Sequence, residues 1–162
     1  MKRLSLFALA IAGAALAQAP APAPAQTPAK TLPPCPSTAG LEIGLPREAA
    51  FEMMRKKSPD LKTANVKTYH HAPADRPYEV DVTFASEAAD AKVTRLHYLF
   101  QPAGVLDALR ERWGEPSDKS GAVSYVWRVD RCGVLLAYAG KLDEMGQISS
   151  EELTVEALPV KK

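Results

Sequence analysis

The sequence predicts an α+β fold: two helices packed on one face of an antiparallel sheet, in the order αβββ-αβββ. Three observations carry this. Two segments hold an apolar stripe at helical spacing, and several hold strand-like apolar runs, one of them strictly alternating. Helix and strand signals then recur in the same order in each half of the chain. With one apolar stripe per helix and one clear apolar face per strand, a two-layer sandwich buries both economically.

The chain starts with a different kind of segment. Lys2 and Arg3 precede an apolar run from Leu4 to Leu16, which ends in Ala15-Leu16-Ala17. A basic start, a short apolar stretch and an A-x-A cleavage site predict a secretory signal peptide over residues 1–17. The run falls short of the ~20 apolar residues a membrane span needs. Residues 18–38 follow as an Ala/Pro-rich linker, opening Gln18-Ala19-Pro20-Ala21-Pro22. Proline removes backbone donors and fixes φ, so this stretch favours extended backbone over helix or sheet. A single domain is expected over residues 39–160.

Leu45-Pro46-Arg47-Glu48 predicts the first helix start, with Ala50, Phe51 and Met54 on one face and Ser58-Pro59-Asp60 as the stop. Val66 to His70 is a short strand. Tyr78 to Phe84 alternates without a fault: Tyr78, Val80, Val82 and Phe84 against Glu79, Asp81 and Thr83. Val93 to Phe100 is the third strand, joined to the second as a hairpin. Pro102-Ala103-Gly104 leads into a second helix carrying Val105, Leu106, Leu109 and Trp113, with Gly114 as its C-terminal cap and Pro116 beyond. Val123 to Val129, Val134 to Ala139 and Leu153 to Leu158 complete the strands, the first two joined by a turn at Asp130-Arg131-Cys132-Gly133. The halves align at offsets of 56 to 57 residues: Pro46 with Pro102, Pro59 with Pro116, Val66 with Val123.

Cleavage after Ala17 removes 17 of the 162 residues and leaves 145, enough for one domain with a real core. Without Lys2 and Arg3, 18 basic residues face 19 acidic ones, a net charge of −1. That balance argues against nucleic acid, which needs a basic surface, and against docking on anionic lipid. Cys35 and Cys132 fit no C-x-x-C or zinc spacing, and in an exported chain they are expected to form a disulfide. Cys35 follows Leu32-Pro33-Pro34, far past the apolar run, so it does not fit a lipid-anchor cysteine. The expected location is therefore the periplasm or the medium, without a lipid anchor and without a membrane span.

Gly44-Leu45-Pro46-Arg47-Glu48-Ala49-Ala50 resembles the helix start of the small outer-membrane assembly lipoproteins of the SmpA/OmlA family, and Gly114-Glu115-Pro116 resembles the Gly-x-Pro that closes their helix. The tandem helix-then-antiparallel-sheet unit also resembles β-lactamase-inhibitor proteins. The resemblance spans residues 40–158 and implies a binding module that uses the open sheet face and adjoining loops. The lipobox cysteine of the lipoproteins is missing here, which removes the basis for carrying over their anchor. No residue matches an inhibitor contact motif.

Motifs for catalysis are absent: no G-x-S-x-G, S-x-x-K, H-E-x-x-H or Gly-rich phosphate loop. His70, His71 and Asp75 offer the right side chains for a metal or hydrolytic site, although neighbouring histidines leaving a strand point apart. His97 reads as a cross-strand ion-pair partner or, with a suitable cleft, a general base. Tyr125, Trp127 and Tyr138 lie in the core or on the open face, depending on a one-residue register. The expected function is a non-catalytic envelope module without cofactors, whose partner is another envelope protein. Its expected contact face comprises Glu79, Asp81, Thr83, Arg95, His97, Arg128 and Glu156.

Overall fold

A computed structural model describes residues 34–37, 40–101 and 104–159. The expected signal peptide, most of the expected linker and the helix-opening Pro102 lie outside the described residues.

Helix α1 (Arg47–Arg55) starts at Pro46 and buries Arg47, Ala50, Phe51 and Met54. Three strands follow: β1 (Thr68–His71), β2 (Tyr78–Phe84) and β3 (Val93–Phe100). Helix α2 (Val105–Trp113) ends at Gly114, whose positive φ of 78° suits a residue without a side chain and whose N–H donates to Arg110 O at 2.8 Å. The second half then has four strands: β4 (Asp118–Lys119), β5 (Ser124–Val129), β6 (Val134–Leu142) and β7 (Ile148–Ala157). A 3-10 turn, Asp130–Cys132, joins β5 to β6.

The fold class is α+β, and the order is αβββ-αββββ. This corrects the expected αβββ-αβββ order. The extra strand, β4, has only two residues, too few to leave a periodic signal in the sequence.

All seven strands form one antiparallel sheet in the order β1-β2-β3-β7-β6-β5-β4. The third strand of the first half therefore meets the last strand of the second half at the centre, through pairs such as Leu96 with Val155 and Tyr98 with Leu153. The outermost strands are short, four residues in β1 and two in β4.

One sheet face carries the core. Val80, Val82, Phe84, Leu96, Tyr98, Leu153, Val155, Leu136, Tyr138, Tyr125 and Trp127 share it by register and are buried. Both helices pack there. Phe51 of α1 meets the rings of Tyr69 and Phe84, with centroids 4.9 and 6.1 Å away. On the α2 side, Trp127 Nε1 donates to Gly114 O at 2.9 Å, and the Arg110 guanidinium lies 5.0 Å from the Tyr125 ring centre. This settles the register of Tyr125, Trp127 and Tyr138: all three belong to the core.

Arg47 anchors α1 to the sheet margin. It is 1% exposed. Its guanidinium donates to four main-chain carbonyls: Ala64 O at 2.8 Å, Val66 O at 2.7 Å, Ser86 O at 2.6 Å and Ala88 O at 3.0 Å. It also lies 4.1 Å over the Phe84 ring. One planar fork thus joins the loop before β1 to the loop after β2.

Cys35 and Cys132 form a disulfide with Cα atoms 5.6 Å apart, closing a separation of 97 residues. It ties residues 34–37, which the sequence reading assigned to the linker, against the domain.

Candidate interaction face

The sheet face opposite the helices is assembled by register alone. Three rows of side chains cross it. Thr68, Thr83, Arg95, Glu156, Leu135 and Arg128 form the first. The second runs through His70, Asp81, His97, Thr154, Ala137 and Val126. Glu79, Leu99, Glu152, Ala139 and Ser124 make the third. All seven residues expected on the contact face (Glu79, Asp81, Thr83, Arg95, His97, Arg128 and Glu156) therefore stand on this one side.

His70, Glu79, Asp81, His97, Glu152 and Lys141 form a chain of pairs across five strands. His70 Nδ1 lies 2.8 Å from Asp81 Oδ1, and His70 Nε2 lies 3.9 Å from Glu79 Oε2. The other Asp81 oxygen is 3.8 Å from His97 Nδ1, and His97 Nε2 is 3.4 Å from Glu152 Oε2. Lys141 Nζ closes the chain on Glu152 Oε1 at 2.7 Å. The Lys141 hydrogen bond, reinforced by His97, holds the Glu152 carboxyl below its ordinary range. Arg128 turns to Asp130 at 2.6 Å.

Two depressions accompany the chain. One of about 230 Å³ is lined by Thr68, Asp81, Thr83, Arg95 and His97. The other, about 310 Å³, lies at the sheet end between the Pro73–Pro77 loop and Tyr78, Glu79, Leu99 and Gln101. The β5–β7 half of the face is smoother, with the small or apolar Val126, Leu135, Ala137, Ala139 and Thr154 half-buried side by side.

The expected metal or hydrolytic group does not come together. His70 faces the open side and is exposed, whereas His71 faces the core at 6% exposure. Burial pushes the His71 imidazole below its ordinary value, and the neighbouring His70 adds to that. Asp75 instead pairs with Lys57 at 3.0 Å and Arg76 at 3.7 Å. Side-chain alternation along β1 is the reason. Among the described residues, no group of three or more His, Cys, Asp or Glu converges as metal ligands. Among the described residues, the His97 ring nitrogens face Asp81 and Glu152.

Glu152 and Lys141 belong to the face but were not named from the sequence, and His70, named there only as a metal or hydrolytic candidate, joins them. Glu152 and Lys141 lie outside the apolar runs that marked strands. The face continues into the β6–β7 hairpin, where Asp143 Oδ1 accepts from Met145 N and Gln147 N, both at 2.9 Å. This turn presents Met145 at 78% exposure, next to the half-exposed Leu142.

Compared with protein-family models, curated proteins and solved structures, the chain matches none. Among the described residues, no helix is long and apolar enough to cross a membrane. The disulfide fits an extracellular or periplasmic setting.

Proposed function

We propose that this chain is an exported, non-catalytic binding module of the bacterial cell envelope, and that its open sheet face contacts another envelope protein. The single observation that carries this reading is the open face itself: among the described residues, helices occupy one side of the sheet and no element covers the other. That side offers paired charges on β1–β3 and β7, a smooth apolar strip on β5–β6, and Met145 at its margin. Protein interfaces combine apolar and polar surface in this way. The basic start and apolar run at residues 2–16 support export, and the resemblance of residues 44–50 and 114–116 to the assembly lipoproteins supports a binding role.

A photocrosslinking residue placed at Thr83, Ala137 or Thr154 tests the reading in living cells, with Glu52 and Asp107 on the helices as controls. Discrete adducts from the sheet positions alone are the expected result. Equal labelling from the helix positions, or none from the sheet, overturns it.

A further inference from the structure

A groove beside the end of α2 is bordered by the arm of residues 34–37. Pro36 and Ser37 lie over Leu96, Tyr98, Leu136, Leu153 and Val155, with Trp113 at the side, and a space of only about 60 Å³ remains among them. These floor residues belong to the central strands and are buried. Among the described residues, Arg112 Nη2 donates to Pro34 O at 3.3 Å, and the Cys35–Cys132 bond ties the arm covalently to the domain. Farther along, Leu41 is buried in the core.

The tether is open to chemistry. Cys35 is exposed and Cys132 half-buried, which makes Cys35 the more accessible half of the bond.

We propose that the arm is a redox-releasable cover, opened when a dithiol reduces the Cys35–Cys132 bond. A thiolate of the dithiol bonds to Cys35 Sγ, the cystine S–S bond breaks, and Cys132 leaves as a thiolate and takes up a proton. The second thiol of the dithiol then attacks the mixed disulfide and releases Cys35. Two electrons pass to the protein, and the dithiol becomes a disulfide. The freed arm leaves the groove and exposes its apolar floor while the sheet stays intact.

Methyl NMR of the whole chain with a water-soluble gadolinium chelate tests this, using dithiothreitol as the dithiol and alkylation to count released thiols. On reduction, solvent relaxation should rise at least twofold at the methyls of Leu96, Leu136, Leu153 and Val155. It should stay unchanged at Val80 and Val82, which lie toward α1. Cys35→Ser should reproduce the pattern without reductant. Three results overturn the proposal: a bond that native-state dithiothreitol leaves intact, reduction without a rise at the groove methyls, or a rise at all methyls together. The last would make the bond a support of the whole fold rather than a latch.

Discussion

The Tyr138 hydroxyl donates to Glu151 Oε1 at 2.8 Å on the helix-covered face of the sheet. Glu151 is 2% exposed and also accepts from the first N–H groups of α2: Gly104 at 2.5 Å, Val105 at 2.6 Å and Leu106 at 3.3 Å. A carboxylate from the last strand thus caps a helix some 45 residues earlier in the chain. The helix N-terminus carries partial positive charge and unsatisfied donors, both of which a buried anion answers.

Glu151→Ala would strand those donors beneath the helix. The expected loss is ~3 kcal/mol or more, against ~1–3 kcal/mol for Glu151→Gln, read from urea unfolding midpoints. Burial alone would raise the Glu151 carboxyl, but the hydrogen bonds from α2 and Tyr138 outweigh it and hold it below 4.5. A lowered carboxyl stabilises the fold above the unfolded value and loses that contribution as pH falls through the folded one. Stability should therefore decline below about pH 4.5, and less steeply in Glu151→Gln than in the parent chain. Equal slopes would remove the cap from the acid response.

His71 should supply an earlier acid limb. Its folded value lies below 6.5 because burial disfavours the charged ring. Below about pH 6.5 the unfolded chain takes up this proton before the folded one does, so stability falls. Unfolding free energies of the parent and His71→Gln, compared between pH 7.5 and 5, should differ in slope, with the variant flatter. Parallel curves would exclude His71 as a source.

Arg47→Met keeps the bulk of the stem and deletes the fork. The four carbonyls of Ala64, Val66, Ser86 and Ala88 then lose a common donor in a dry site. A loss of ~3 kcal/mol or more is expected in denaturant titration, since each buried unsatisfied polar group costs ~1–3 kcal/mol. Arg47→Lys should recover only part of it, because an ammonium cannot span four acceptors in one plane.

The open face should behave oppositely. His97, Asp81 and Glu152 retain side-chain exposures of 31%, 44% and 29%, and exposed ion pairs contribute ~0–1 kcal/mol. Asp81→Asn combined with Glu152→Gln should shift unfolding by no more than ~1–2 kcal/mol yet abolish the Thr83 photocrosslink. Retention of the crosslink in a folded double variant would move the contact off this part of the face.

The sequence was most readable where side chains obey a simple period. Tyr78–Phe84 alternates cleanly because one face is apolar, and both it and Val93–Phe100 have the expected bounds. β7 was half missed for a physical reason. Its start, Ile148-Ser149-Ser150-Glu151-Glu152, places an acid where alternation calls for a core residue, and only the distant N-terminus of α2 makes that acid acceptable. Arg47 hid in the same way. An arginine in a first helical turn reads as a solvated residue until the two loops it joins are folded around it. The faces of Tyr125 and Trp127 were undecidable locally, since both strand neighbours of each are apolar or polar enough to suit either side. Pairing with β6 decided them.

The shortness of β1 and β4 has a consequence for how such a molecule is addressed. Strands of four and two residues leave little unfinished backbone ladder at either border, so another chain gains few main-chain bonds by lengthening the sheet. An encounter is thus decided by side chains on the broad side. Side chains are individually replaceable without disturbing the ladder beneath them. The contact specificity of this scaffold is therefore rewritable one residue at a time, over an unchanged frame.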